Sequence, residues 1–277
     1  MSQHDASGAS AATLLDLARD IAVRASEFAL DARRAGVSVA ATKSTPTDVV
    51  TAADRDTEAL IRSLILDARP DDGIVGEEDA THIGTSGIDW VVDPIDGTVN
   101  FLYGIPAWAV SIAVVEGAAG GDVGGTTLAG VVVNPVTGEL FEASAGGGAR
   151  LAGRELAVNT DVPLASALIG TGFSYAAERR HEQAAVLLEL ITKVRDIRRI
   201  GSASLDLCAV AAGRLDAYYE RGLNAWDHSA GALIAREAGA RIGGLHGGRE
   251  NSKLIVAAAP GLYEELAAAL RASGIEA

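Results

Sequence analysis

Apolar residues recur at helical spacing from Leu14 to Arg34, as Leu14, Leu17, Ala18, Ile21, Ala25 and Phe28, and predict an opening amphipathic helix. Residues 1–12 ahead of it are small and polar and read as a disordered tail. A polar loop is predicted from Thr42 to Thr51. Thr51 and Asp54 then stand at capping-box spacing, with Asp in place of Glu. They open a second helix that sets Leu60, Ile61, Leu64 and Ile65 on one face. After Pro70 the pattern changes to short apolar runs. Strands are predicted at Gly73–Gly76, Ile88–Asp93, Ala107–Val115, Leu128–Val133 and Glu139–Ala143, the last two joined as a hairpin through Asn134–Gly138.

The second half alternates strands and helices. The strands are Ser166–Gly170, Ile197–Ile200, Asp216–Glu220 and Lys253–Ala258. The helices are Glu178–Val194, Ser202–Ala212, Trp226–Ala238 and Gly261–Ser273. The pattern predicts a mixed α+β or α/β fold in which helices cover sheets on both sides. Its organisation reads as one domain over 13–277, with a strand-rich half at 13–150 and an alternating half at 151–277.

Apolar residues make up 48% of the 277, enough for a large core, but aromatics are only 4% and Gly numbers 32, so the elements must pack closely. With 23 Lys and Arg against 37 Asp and Glu, the net charge is −14. That balance argues against direct nucleic-acid binding, which needs a basic face. It leaves room for a small phosphorylated substrate held through metal ions. The single cysteine, Cys208, allows no internal disulfide and fits a reducing compartment. Met1 to Asp20 lacks a basic segment followed by an apolar stretch, and no run reaches the length of a membrane span. A cytoplasmic protein without a membrane partner is expected.

The chemistry concentrates in carboxylates. Asp93-Pro-Ile-Asp96-Gly-Thr98 leaves the apolar strand Trp90-Val-Val, where open sheets place their ligands. Pro94 stiffens the turn, and the amides of Gly97 and Thr98 could hold an anion at a helix start. The structural alternative is a capped turn with Asp96 as N-cap. Gly76-Glu77-Glu78-Asp79 follows another strand and reads either as an acidic loop or as a site that needs a cation. Asp227 begins an apolar helix, where an N-cap is the commoner role. Lys43, Asp48 and Asp54 surround Pro46. Taken together, several carboxylates at different strand ends, with no Cys or His cluster, favour Mg²⁺ over Zn²⁺. The five histidines are scattered, with His228 predicted at a helix surface or pocket rim, and Cys208 reads as core.

These segments resemble the inositol monophosphatases. Gly76-Glu77-Glu78, Trp90-Val-Val-Asp93-Pro-Ile-Asp96-Gly-Thr-Val-Asn100-Phe and Trp226-Asp227-His-Ser-Ala-Gly231 carry the likeness, supported by Lys43–Asp48, Ile200–Ala203 and Asp216–Glu220. It covers roughly residues 13 to 272 and is nearest to the bacterial inositol-1-monophosphatase branch. The resemblance implies a layered αβαβα sandwich, a homodimer and Mg²⁺-dependent, lithium-sensitive hydrolysis of myo-inositol 1-phosphate, a small phosphorylated polyol. Two or three Mg²⁺ ions are implied, with Li⁺ as an inhibitor. Glu77, Asp93 and the carbonyl of Ile95 are implied ligands of a first metal, and Asp93, Asp96 and Asp227 of a second. Glu77 and Thr98 orient the attacking water, and Asp54 joins them as a catalytic candidate. Gly97 and Thr98 meet the phosphate. Asp96, Ala203, Glu220 and Asp227 face the ring hydroxyls, with Gly201 and Ser202 beside them. Lys43 and Asp48 belong to a loop that completes the site.

Overall fold

The computed structural model describes residues 10–36, 39–42, 49–117, 125–245 and 248–275. The hydroxyl of Ser10 accepts the amide of Thr13 at 3.2 Å and starts helix α1 (Ala11–Ala35), a few residues before its apolar face begins. A short antiparallel pair follows, β1 (Val39–Thr42), which ends where the predicted loop begins, and β2 (Val49–Thr51), which falls inside that loop. Residues 43–48, with Lys43 and Asp48, lie outside the described residues. Helix α2 (Ala52–Ala68) starts on the capping box that Thr51 and Asp54 predicted.

The strands β3 (Gly73–Gly76) and β4 (Ile88–Asp96) pair in parallel. β4 runs three residues beyond the predicted end. Its pairing slips between Asp93 and Asp96, around Pro94, which offers no amide to the ladder. The six-residue helix α3 (Thr98–Tyr103) is too short to leave a periodic signal. Strands β5 (Ala109–Glu116), β6 (Thr126–Asn134), β7 (Glu139–Ser144), β8 (Ala149–Leu151) and β9 (Arg154–Glu155) complete a seven-stranded sheet in chain order.

A 3-10 turn at Leu164–Ser166 leads into β10 (Leu168–Thr171), α4 (Ala177–Leu190), β11 (Asp196–Arg198), α5 (Ala203–Ala211), β12 (Ala217–Glu220) and α6 (Ala225–Glu237). The chain then forms β13 (Arg241–Gly243), β14 (Ile255–Ala258) and α7 (Pro260–Ala272). The second sheet has the order β11-β10-β12-β14-β13. β10 lies parallel to β11 and β12, and β14 runs antiparallel to β12 and β13.

The period of two along the strands decides the layers. Trp90, Val92, Ile112 and Val114 pack with α1 and α2 on one face of the first sheet. Val91, Ala113, Val115 and Val132 turn the other way, onto α5 and α6. Tyr218 and Ala257 of the second sheet reach that same middle layer, whereas Ala217, Tyr219 and Val256 face α4 and α7. The result is a layered αβαβα sandwich of mixed α and β elements. Small side chains fill its middle layer: Ala230, Ala232 and Ala235 of α6 are buried against the sheet. Cys208 is buried there too, as core. No helix among the described residues is long and apolar enough to cross a membrane.

Candidate active site

β3 and β4 end side by side, so Glu77, Asp93 and Asp96 leave the same edge of the first sheet. The first turn of α6 brings Asp227 to them from the middle layer. Asn224 is the N-cap of α6, and Asp227, at the third helical position, accepts the Asn224 amide at 2.6 Å. Asp227 therefore closes a capping box and still presents a carboxylate to the cleft.

Asp93 is 1% exposed. Burial raises its carboxyl well above the ordinary range, and the charges of Glu77, Asp96 and Asp227 push it further. Asp227 is raised by burial and then by Glu77 and Asp96. Asp96 is raised by burial but opposed by hydrogen bonds: Ser202 Oγ at 2.6 Å, Ser204 N at 2.7 Å, Ser204 Oγ at 2.5 Å and Ala203 N at 3.3 Å. Asp96 is thus not the cap of α3, whose N-cap is Gly97 in the left-handed region at φ 97°. It caps α5 from another chain segment.

Asp54 is 1% exposed and reaches the same place through α3. Thr98 Oγ1 stands 3.2 Å from both Asp54 Oδ1 and the carbonyl oxygen of Ile95, to either of which it can donate. The amide of Ile95 donates to Asp93 Oδ1 at 3.0 Å, so the turn is tied at both ends.

A cleft of about 250 Å³ opens over this cluster. Glu77, Asp96, Gly201, Ser202, Ala203, Glu220 and Asp227 line it. Asp93 and Asp54 are buried, and neither they nor Ile95, Gly97 and Thr98 belong to its lining. Glu220 accepts from the Tyr218 hydroxyl at 2.5 Å, and burial lifts its carboxyl to about 7. Sequence reasoning missed Tyr175 and Arg199, which also line the cleft, and Ser204, which holds Asp96. Arg199 carries no motif signal of its own, while Ser204 stands two residues after Ser202 at the start of a recognised helix. His228 is a correction. Of the two places expected, helix surface or pocket rim, the surface is ruled out: the residue is 7% exposed with Nδ1 unpartnered, and it lines a larger cavity than the acidic cleft.

The donor set is oxygen throughout, and the charges that raise Asp93 are all carboxylates. Among the described residues no three His, Cys, Asp or Glu groups stand at metal-ligating spacing; Glu77 and Asp93 instead share a hydrogen bond. Two carboxyls that must share a proton when buried together fit a site that a divalent cation neutralises.

The model of the inositol monophosphatase family matches residues 10–274. The chain belongs to the inositol monophosphatase family. It is 48% identical to the inositol-1-monophosphatase SuhB of Mycobacterium tuberculosis over 270 residues, which span 91% of this chain and 89% of that one. The extragenic suppressor protein suhB of Bartonella henselae superposes with a TM-score of 0.85 at 35% identity, covering 93% of this chain and 98% of the other. An inositol monophosphate-bound structure of SaIMPase-II has a TM-score of 0.74 at 26% identity, with 92% of each chain covered. As an inositol monophosphatase family enzyme, the chain is a phosphatase.

Proposed function

We propose that this phosphatase hydrolyses myo-inositol 1-phosphate to myo-inositol and phosphate, with Mg²⁺ as cofactor and water as nucleophile. The observation that carries the reading is the convergence of Glu77, Asp93, Asp96 and Asp227 at one edge, in surroundings that burial and mutual repulsion make unfavourable for four bare carboxylates. The relatives named for inositol phosphate add support.

Glu77, Asp93 and the Ile95 carbonyl would hold one Mg²⁺, and Asp93, Asp96 and Asp227 another. Bound Mg²⁺ supplies Lewis-acid charge at the phosphate and lowers the pKa of a water. Thr98, anchored between Asp54 and the Ile95 carbonyl, orients the attacking water with its hydroxyl. Glu77 accepts the proton as that water attacks phosphorus. The Gly97 and Thr98 amides face the phosphate at the start of α3. Glu220, Ala203 and Asp96 receive the ring hydroxyls; as the P–O bond to the ring breaks, the inositol oxygen takes a proton from solvent water, and Glu77 returns to solvent the proton it accepted. Li⁺ competes for one weakly held site among hard oxygen ligands. Residues 13–277 act as one domain in a cytoplasmic homodimer.

Phosphate release from a substrate panel tests the substrate. Inositol 1-phosphate should exceed histidinol phosphate and fructose 1,6-bisphosphate in kcat/KM. A preference for either of those would replace inositol phosphate as the substrate and leave the fold assignment standing.

A further inference from the structure

Glu58 is a buried carboxylate that the chemistry above does not use. It lies on α2 and is 0% exposed. Its two oxygens accept the amides on the far side of Glu77: Glu78 N at 2.8 Å and Asp79 N at 3.0 Å. Arg62, one turn further along α2, donates from Nε to Glu58 at 2.8 Å and from Nη2 to the Asp79 carbonyl at 3.1 Å. The carboxylate also presses against Gly76. A Cβ at that position would stand 2.4 Å from Glu58 Oε1, so the residue before Glu77 has to be Gly for Glu58 to enter.

The amide donors, the carbonyl acceptor and the close approach all address residues 76 to 79. They fix the backbone on both sides of Glu77, which itself is only half-buried and sits on no helix or strand. The same helix carries Asp54, whose carboxylate meets Thr98. α2 therefore touches two parts of the site from one rigid element.

We propose that Glu58, with Arg62, is a positioning pair that sets where the Glu77 carboxylate stands for the metal. This rests on the metal-dependent reading above. Neither residue faces the cleft, so each acts through the loop. Outer partners of metal ligands act in this way, by fixing orientation before the ion arrives. A charged acceptor is required because two amides and a guanidinium converge on it.

The test is calorimetric titration of Mg²⁺ into the full-length protein, wild type against Glu58→Gln and Arg62→Met. In Glu58→Gln the amide group turns a donor toward one of the two backbone N–H groups. The Mg²⁺ dissociation constant should rise roughly tenfold, while KM for inositol 1-phosphate at saturating Mg²⁺ stays within about twofold. Arg62→Met keeps the aliphatic stem and should weaken Mg²⁺ in the same direction by a smaller factor; it carries the test if Glu58→Gln does not fold. A folded variant whose Mg²⁺ dissociation constant equals that of the wild type overturns the proposal and leaves the metal reading intact. A wild type that binds no Mg²⁺ overturns both.

Discussion

Ser204 meets Asp96 twice, through its amide at 2.7 Å and its hydroxyl at 2.5 Å, and both bonds end on the same carboxylate oxygen. The Ser202 hydroxyl adds a third donor to that oxygen at 2.6 Å. Oδ2 is filled by the protein itself. Oδ1, with only the distant Ala203 amide at 3.3 Å, has coordination to spare. One carboxylate thus caps α5 and addresses the cleft with different oxygens.

Asp96→Asn should therefore fold and fail to turn over. The amide oxygen can replace Oδ2 among its three donors, which leaves a neutral nitrogen toward the cleft. Turnover of inositol 1-phosphate should fall by about a hundredfold or more, the equivalent of losing several kcal/mol of charge stabilisation. Circular dichroism should match the wild type. Unchanged turnover would remove Asp96 from the metal site, and an unfolded variant would make it mainly a cap.

Asp93→Asn separates stability from catalysis. Removing one charge from a buried acidic cluster should raise the melting temperature of the metal-free protein. It should also abolish most of the rise that Mg²⁺ gives the wild type, since a ligand that binds only the folded state stabilises it by mass action. Thermal melts with and without Mg²⁺ read both effects. A variant that keeps the full Mg²⁺ shift would show that the ion binds elsewhere.

Glu77, Asp93, Asp96 and Asp227 were legible in the sequence as acids bordering apolar runs; the residues that hold them in place were not. The apolar runs at Trp90–Val92 and Ile112–Val114 marked the strands, and the structure sorts their residues between two faces: Trp90, Val92, Ile112 and Val114 on one, Val91 and Ala113 on the other. β8, β9 and β13 are two or three residues long and each carries an arginine, which leaves no apolar run to register, whereas β3 and β14, at four residues, hold only apolar residues and glycine. β4 overruns its predicted end at Asp93 because the segment around Pro94 reads as a turn, yet the strand passes it by a slip in pairing. In the site, the carboxylates stood out because three acidic segments follow apolar runs. Glu58 and Ser204 did not, because their partners are backbone amides or an acid 108 residues away in the chain. A glutamate four residues after Asp54 on the same helix face was the one signal that could have drawn attention to Glu58.

Glu220→Gln should split two substrates. The carboxylate is proposed to accept ring hydroxyls and to touch no metal. Losing a charge-assisted hydrogen bond costs about 1.5–3 kcal/mol, or roughly ten- to a hundredfold in kcat/KM for inositol 1-phosphate. p-Nitrophenyl phosphate, which has no ring hydroxyls, should lose far less. Equal losses would place Glu220 in support of the catalytic centre.

The same residue predicts a pH dependence. Burial raises Glu220 from 4.5 to about 7 in the folded protein. Between those values the folded state holds a proton that the unfolded chain releases, so stability falls as pH rises through this window and levels off above it. Asp93 and Asp227 act in the same direction. Urea midpoints of the metal-free protein at pH 5 and pH 8 should therefore drop in the wild type and drop less in Glu220→Gln. Identical drops would mean that Glu220 is not raised.

The central claim is that this cleft hydrolyses a phosphomonoester only when its carboxylates hold Mg²⁺. The most direct measurement is phosphate release from myo-inositol 1-phosphate by protein stripped with excess chelator, before and after Mg²⁺ is restored. The stripped enzyme should release phosphate only at background rate and recover fully once Mg²⁺ is restored. Undiminished release in the presence of chelator would contradict it.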